Sequence, residues 1–234
     1  MKNTKSYKCV FFDLDHTLWD YEMNSGEALH ELYDKYGLAK LGSIPFNEFY
    51  KGFVKINTEI WDAYDRGLTG KEVIRFERFD RVFRHAGIND YALSLQFSEE
   101  YIKESPKKPN LVAHAKDVLD YLLPRYPLYI ITNGFDEIQS VKMESAGITP
   151  YFKGVITSAR AGCKKPEKEI FEFALRENGF VCSDTIMVGD NLLTDIAGAR
   201  NASVDTVYYN PYKLPHQENV TYEISSLKEL TSIL

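Results

Sequence analysis

The chain has 234 residues, of which 44% are hydrophobic and 26% charged, and its formal net charge is −6. This length and composition predict a globular protein of one or two domains that is long enough to bury a sizeable core. Because acidic and basic residues are interspersed, the sequence offers no broad basic surface for nucleic acid or an anionic membrane.

The cysteines and the N-terminus indicate the compartment. Cys9, Cys163 and Cys182 form no CxxC pair, and an odd number of scattered thiols is typical of a reducing compartment. The N-terminal stretch "MKNTKSYK" lacks the apolar segment of a secretory signal, and no window is apolar for the length of a membrane span. We therefore expect a cytoplasmic protein.

The first predicted strand is the apolar run "CVFF", which leads directly to Asp13 and Asp15. Side chains two residues apart leave an extended strand on the same side, so these two carboxylates would repel each other. A bound cation, a shared proton or a turn of the second residue into a loop would relieve the repulsion. Each of these remedies is a feature of a functional site.

Residues 20–105 show four helical patterns and no convincing strand. We predict an all-helical domain over residues 20–105, inserted after the first strand, with "SPKKPN" at 105–110 as the return linker. Two capping-box patterns, a proline and three glycines mark the expected starts and ends of its helices: Asn24-x-x-Glu27, Thr69-x-x-Glu72, Pro45, Gly37, Gly67 and Gly87.

In the second half of the chain, short runs rich in Val, Ile, Phe and Tyr alternate with helical patterns. Continuous apolar strands favour a parallel sheet covered on both faces. The predicted fold class is therefore a doubly wound α/β core, Rossmann-like, formed by residues 1–19 and 106–234. The later strands are "LYIIT", "GVITS", "TIMVG" and "DTVYY", and the two clearest helices span 139–146 before Gly147 and 167–178 before Gly179.

The predicted strands are followed by residues that can take part in chemistry. Asp13 and Asp15 follow the first strand, Thr132 ends the second, Asp190 follows the fourth, and the loop after the third leads to Lys165. Open parallel sheets bind ligands at the carboxyl ends of their strands, so we expect these groups to converge. Together they would provide a nucleophile, further carboxyl groups, a hydroxyl donor and an ammonium, as phosphoryl transfer requires.

Four motifs in this order, "DLDHTL", "ITNG", "KKPEKEIF" and "GDNLLTD", resemble those of the haloacid dehalogenase-like (HAD) superfamily. With two aspartates, the first motif resembles that of the family's phosphatase branch. The helical insertion resembles the family's type 1 cap. Taken together, "DLDHTLWD", "YIITNGF", "KKPEKEIFEFAL" and the final motif are similar to the YjjG-like 5'-nucleotidase subgroup, which hydrolyses pyrimidine and noncanonical nucleoside monophosphates.

The resemblance implies a role for each motif residue. Asp13 would be the nucleophile, because a carboxylate can form an acyl phosphate and divide the hydrolysis into two displacements. Asp15 would be the general acid and base, with its proton affinity raised by crowding against Asp13. Thr132 and Lys165 would bind the transferred phosphoryl group, and Lys165 is chosen over Lys164 because the family lysine immediately precedes proline.

A divalent cation is expected at the same place. Asp13 and Asp190 would bind Mg²⁺, because carboxylates, a carbonyl, waters and a phosphate oxygen suit its octahedral preference. The resemblance implies that Asp15 also binds the metal, through its main-chain carbonyl. Asp195 would position waters or the lysine instead of binding the metal directly.

Substrate-binding residues are predicted in the motifs and in the helical insertion. Asn133 and His16 belong to the motifs; His16 stands where many relatives have glycine, and it would either touch the leaving group or face the cap. Trp19 and Tyr21 would form part of a mobile gate. One helical face carries Phe49, Phe53, Asn57, Trp61 and Tyr64, and it would either pack inside the helical domain or supply Asn57 and Trp61 as contacts to a nucleobase.

These observations predict an enzyme, a Mg²⁺-dependent phosphomonoester hydrolase that acts through a phosphoaspartate, and more specifically a 5'-nucleotidase. Its partner would be a small phosphomonoester, with neither a nucleic acid polymer nor a membrane, and it would be a monomer or a homodimer. The alternatives are a phosphatase of another small metabolite, such as phosphoglycolate or a sugar phosphate, a phosphomutase, and a receiver-type signalling domain.

Overall fold

The structure, a computed structural model, describes residues 6–234. Residues 1–5, which begin both the polar N-terminal stretch and the predicted core domain, lie outside the described residues. The chain divides into two compact units, one formed by Glu22–Lys108 and the other by the residues up to Tyr21 together with Pro109–Leu234. The description of the helical unit as a cap stays a prediction.

The Glu22–Lys108 unit is helical, and its helices surround a core of aromatic side chains. Phe49 and Phe53, on the face singled out in the sequence, are fully buried in this core, so packing is confirmed for these two residues. A π-helical stretch, Val73–Glu77, precedes the fourth helix. The helices are α1 Tyr21–Lys35, α2 Leu38–Leu41, α3 Phe46–Asp65, α4 Arg78–His85 and α5 Tyr91–Glu104.

The predicted ends of these helices are confirmed, whereas one predicted start is wrong. Gly37, Gly67 and Gly87 have φ values of 62°, 73° and 77°, the left-handed conformation that glycine adopts without a Cβ penalty. Asn24 is not a cap, because α1 begins at Tyr21 and Asn24 lies fully buried inside it. The helix after Thr69 begins at Lys71, so that boundary is one residue later than the capping pattern predicts.

The other unit is built on a six-stranded sheet in the order β3-β2-β1-β4-β5-β6, with every neighbouring pair parallel. The doubly wound α/β prediction is confirmed, and so are its five strands. The sixth was missed because it has three residues at the sheet edge, with an exposed glutamate at its centre. The strands are β1 Cys9–Phe12, β2 Leu128–Thr132, β3 Phe152–Thr157, β4 Thr185–Gly189, β5 Asp205–Tyr209 and β6 Tyr222–Ile224.

Alternate residues of the central strand pack into different cores. Val10 and Phe12 belong to one apolar cluster, and Cys9 and Phe11 belong to another, as the two-residue period of a strand requires. The sheet is therefore covered on both faces, and burial of Cys9 raises the pKa of its thiol to about 12. The helices of this unit are α6 Ala115–Leu122, α7 Asp136–Ser145, α8 Ser158–Ala161, α9 Lys168–Asn178 and α10 Gly198–Asn201.

The two helices predicted in this half are both present. α9 ends as predicted at Gly179, whose φ is 73°, and α7 begins three residues earlier than its pattern indicates. Within residues 6–234, no helix combines the length and the apolar character needed to cross a bilayer.

Candidate active site

The carboxyl ends of the strands bring three carboxylates together. Asp13 follows β1, Asp190 follows β4, and Asp195 lies in the π-helical turn Leu192–Ala197. One carboxylate oxygen from each of them lies within 4.8 Å of the others. The strands of this sheet all run in the same direction, so residues that are far apart in sequence meet at one edge.

Lys165 occupies the centre of this group. Its Nζ donates to Oδ1 of Asp13 at 2.5 Å and to Oδ1 of Asp195 at 2.6 Å, and it donates to the carbonyl of Ile131 at 2.9 Å. The side chain is 2% exposed, and a lysine is almost never this buried unless it is paired. The ammonium fixes the rotation of the Asp13 carboxylate and joins it to Asp195.

Burial is the main cause of the shifted pKa values of two carboxyl groups in the cluster. It raises the pKa of Asp13 well above its usual value, against the attraction of Lys165 and with the repulsion of Asp195 and Asp190. Burial likewise raises the pKa of Asp190 to about 6, although His16 and the Thr17 hydroxyl act in the other direction. The pKa of Lys165 is also raised, because its attraction to Asp13 and Asp195 outweighs the effect of burial.

The cluster suits a hard divalent cation. The ammonium of Lys165 pairs with Asp13 and Asp195 but not with Asp190, so a bound cation would compensate the remaining negative charge. Carboxylate oxygens are the ligands that Mg²⁺ and Ca²⁺ prefer. The carboxyl group of Asp15 is not part of this cluster, and the expected contact through its main-chain carbonyl stays a prediction.

Neighbouring groups hold the two later carboxylates in place. The hydroxyl of Thr17, which is fully buried, donates to Oδ1 of Asp190 at 2.8 Å. The main-chain N–H of Asn191 donates to Oδ2 of Asp195 at 3.0 Å. Gly189 lies so close that a Cβ there would be 2.3 Å from Oδ2 of Asp195, which leaves no room for a larger residue.

The side chain of Asn133 forms two hydrogen bonds to the loop that carries Lys165. Its Nδ2 donates to the carbonyl of Lys165 at 2.9 Å, and its Oδ1 accepts from the main-chain N–H of Lys165 at 2.9 Å. These contacts use one donor and one acceptor of the side-chain amide to position the loop. Its predicted role in substrate binding stays a prediction.

The hydroxyl of Thr132 is oriented by the turn that follows β2. Thr132 is 2% exposed, and its Oγ1 accepts from the main-chain N–H of Gly134 at 3.0 Å. This contact uses a lone pair of the oxygen and leaves the hydroxyl hydrogen to donate elsewhere. The predicted contact of Thr132 with a phosphoryl group stays a prediction.

Asp15 has a different partner from the one that its position predicts. Both of its carboxylate oxygens accept from Nζ of Lys142, at 2.6 and 2.8 Å. The carboxylates that repel Asp13 are those of Asp195 and Asp190. The expected crowding between Asp13 and Asp15 is therefore replaced by an ion pair, because the chain turns after β1 and directs Asp15 towards α7.

His16, which stands where many relatives have glycine, lies in the turn after β1. His16 has a φ of 62°, a left-handed conformation that favours glycine, and its ring stacks on Tyr21 with 4.6 Å between centroids. Trp19 is fully buried, and its main chain forms isolated β-bridges with Asp15 and Leu111. This packing argues against a mobile gate at Trp19.

The two substrate contacts predicted in the helical unit lie on α3. Asn57 is 7% exposed, and its Oδ1 accepts from the guanidinium of Arg78 at 3.0 Å. Arg78 is itself buried, with the rings of Phe79 and Tyr101 each 5.0 Å away. Trp61 is half-buried and meets Tyr64 edge-on, and its contact with a substrate stays a prediction.

Two residues of this site, Thr17 and Lys142, were not among the predicted site residues. Thr17 lies inside the first motif, in the same turn as two carboxylates, where a hydroxyl could have been recognised as a positioning group. Lys142 lies three residues after Gln139 and next to Met143, and all three are buried on one side of α7. A lysine on the apolar side of a helical pattern was the available signal.

Comparison with known proteins identifies the family. A family model described as haloacid dehalogenase-like hydrolase matches residues 7–203. The chain belongs to the haloacid dehalogenase-like hydrolase family. The predicted family and the prediction of an enzyme are thereby confirmed, and this membership does not support the receiver-type alternative.

Members of this family resemble the chain along nearly its full length. It is 33% identical to the pyrimidine 5'-nucleotidase PynA of Streptococcus pneumoniae, over 97% of this chain and 95% of that protein. It is 28% identical to the pyrimidine 5'-nucleotidase YjjG of Escherichia coli, over 96% of each. The magnesium-bound crystal structure of YfnB from Bacillus subtilis matches with a TM-score of 0.88 at 28% identity, over 98% of this chain and 99% of that one.

Proposed function

We propose that this hydrolase is a Mg²⁺-dependent phosphatase that forms a phosphoaspartate at Asp13. The observation that carries the proposal is the buried cluster in which Lys165 joins Asp13 to Asp195 and the carboxylate of Asp190 lies alongside. A buried carboxylate held by an ammonium is placed to attack phosphorus, and the other acidic groups can hold a cation.

Two displacements divide the reaction. In the first, an oxygen of Asp13 forms a bond to phosphorus while the bond from phosphorus to the ester oxygen breaks, and Asp15 passes a proton to that oxygen. In the second, water attacks phosphorus, the bond to Asp13 breaks, and Asp15 takes a proton from the water. Asp15 is thereby returned to its starting state, and inorganic phosphate is released.

The remaining residues stabilise charge during the transfer. Thr132 donates its hydroxyl hydrogen to the phosphoryl group, and Lys165 neutralises its oxygens; loss of one such donor costs about 3 kcal/mol of barrier. Asp13 and Asp190, with the Asp15 carbonyl, would hold the cation. Bound Mg²⁺ would screen the negative charges that otherwise repel a dianionic substrate.

The proposed substrates are nucleoside 5'-monophosphates, with pyrimidine and noncanonical bases preferred. Relatives named as pyrimidine 5'-nucleotidases, similar over 96–97% of this chain, support this choice. The helical unit is the proposed cap, and Asn57 and Trp61 are its proposed contacts with the nucleoside. His16, in the first motif, is a further proposed contact.

Phosphate release from a panel of substrates tests the proposal. The panel contains pyrimidine and purine nucleoside 5'-monophosphates, phosphoglycolate, sugar phosphates and p-nitrophenyl phosphate, each with Mg²⁺ and with EDTA. We expect turnover only with Mg²⁺ and the highest kcat/KM on a nucleoside monophosphate. Asp13→Asn should retain below about 1% of the activity, because an amide cannot attack phosphorus.

The control is Asp117→Asn, which changes an exposed aspartate on α6. Full activity of Asp13→Asn would refute the nucleophile. Higher kcat/KM on phosphoglycolate or a sugar phosphate would refute the nucleotidase assignment and leave the phosphatase. Transfer of the phosphoryl group to a second sugar hydroxyl, instead of to water, would identify a phosphomutase.

A further inference from the structure

Lys142 binds Asp15 in a geometry that a surface ion pair does not have. One ammonium contacts both carboxylate oxygens, at 2.6 and 2.8 Å, and Lys142 is only 6% exposed. Surface ion pairs contribute little because both side chains move freely in water. Here the lysine is enclosed, so the plane of the Asp15 carboxylate is defined by the position of Nζ.

Aromatic side chains fix the position of Lys142 in turn. Its Nζ lies 4.5 Å from the centroid of a Trp19 ring and 5.9 Å from the ring of Tyr21. Trp19 is fully buried, so it provides a rigid face against which the ammonium is held. The ion pair and the aromatic contact act on the same atom and leave it little freedom to move.

The helix that carries Lys142 also ties it to the phosphate-binding segment. α7 begins at Asp136, four residues after Thr132. Lys142 therefore links the Asp15 carboxyl to the element that follows the proposed hydroxyl donor. A shift of about 1 Å in a reacting group can lower a rate by about 100-fold, so such a link has kinetic consequences.

We propose that Lys142 is a positioning residue that holds the Asp15 carboxyl in the orientation needed for proton transfer. This inference rests on the proposed function, in which Asp15 is the general acid and base. Lys142 does not contact the substrate and keeps its own hydrogens. Its effect should therefore depend on how strongly the leaving group needs a proton.

The experiment compares Lys142→Met with Lys142→Arg and with the control Lys116→Met, which changes an exposed lysine on α6. Each variant is assayed on p-nitrophenyl phosphate, whose leaving group needs little protonation, and on a nucleoside 5'-monophosphate, whose alkoxide needs it strongly. Rapid-mixing measurements separate the first turnover from the steady state, and thermal unfolding checks the fold. If Lys142→Met folds poorly, Lys142→Gln takes its place.

We expect Lys142→Met to lower kcat on the nucleotide by about 10- to 100-fold with little change in KM. On p-nitrophenyl phosphate it should retain a rapid first release of nitrophenolate, followed by slow turnover, because the second displacement still needs Asp15. Lys142→Arg should restore most of the activity, and Lys116→Met should match the wild type. In an Asp15→Asn background, Lys142→Met should have little further effect.

Equal loss of the first turnover on both substrates would overturn the inference, and so would a change confined to KM, unchanged kinetics, or full additivity with Asp15→Asn. Failure of the proposed function gives a different result. In that case the wild-type protein itself releases no phosphate from p-nitrophenyl phosphate with Mg²⁺, or Asp13→Asn remains active.

Discussion

Replacing Lys165 by methionine tests whether one ammonium holds the carboxylate cluster together. Methionine has a similar length and no charge, so Lys165→Met leaves Asp13 and Asp195 buried without their shared partner. Removal of one member of a buried ion pair costs about 3–5 kcal/mol of unfolding free energy. For a unit of this size, that corresponds to a fall in Tm of about 6–20 °C.

Thermal unfolding in EDTA measures this effect directly. Addition of Mg²⁺ should recover part of the lost stability, because a cation supplies positive charge to the same carboxylates. Asp195→Asn in the Lys165→Met background should also recover part of it, because one uncompensated charge is then removed. The two substitutions should therefore be strongly non-additive, as expected for groups 2.6 Å apart.

The control for this prediction is Lys153→Met, which removes an exposed lysine from β3. If Lys165→Met lowers the Tm no more than Lys153→Met does, the ammonium is not needed to hold the cluster. Strict additivity with Asp195→Asn would refute the coupling. Either outcome would mean that the carboxylates do not depend on Lys165 for their stability.

Three further predictions concern the same molecule. Gly189→Ala should lower the unfolding free energy by about 1–3 kcal/mol and reduce activity, because its Cβ would displace Asp195. Gly154→Ala should do neither, because its Cβ has no neighbour nearer than 3.4 Å. Equal Tm values for the two variants would contradict this prediction. At a fixed Mg²⁺ concentration of 100 times the Kd measured at pH 7.5, the bound cation should add about 2.7 kcal/mol of stability at that pH. Asp190→Asn should abolish this gain in stability. At the same Mg²⁺ concentration, calorimetry should find a smaller gain at pH 5 than at pH 7.5, because the pKa of Asp190 is raised to about 6 and protons then compete with the cation. A gain that does not depend on pH would count against Asp190 as a ligand. In EDTA the pH dependence has the opposite sign, and the protein should lose stability as the pH rises. The contribution of Asp190 to stability is present below its unfolded pKa of 3.8 and is lost as the pH rises through about 6. Trp61→Ala should change the preference among nucleotides more than the turnover of p-nitrophenyl phosphate, and an equal loss on all substrates would identify Trp61 as a packing residue.

Five of the six strands could be predicted because they depend on short-range patterns. "CVFF" and "TIMVG" are continuous apolar runs, and a strand buried on both faces has to be apolar at every position. The glycines that end helices were equally clear, because a positive φ excludes most other residues. β6 was missed because three residues with a charged side chain at their centre carry almost no pattern.

The partners within the site could not be predicted, because they depend on where side chains point after a turn. Asp13 and Asp15 are two residues apart, yet one contacts Lys165 and the other contacts Lys142. The strand ends at Phe12, so the two-residue period that predicts crowding no longer applies to them. Lys142 lies 127 residues from Asp15 in sequence, and no local rule links the two.

The amide of Asn133 has a consequence for the way this chain tolerates change. By offering one donor and one acceptor to the main chain of a single residue, Lys165, it imitates the paired hydrogen bonds of a β-ladder between two segments 32 positions apart. Insertions or deletions in either segment would break both contacts at once. Both contacts break when the two segments separate, so slow deuterium exchange at the Lys165 amide would report their joint opening.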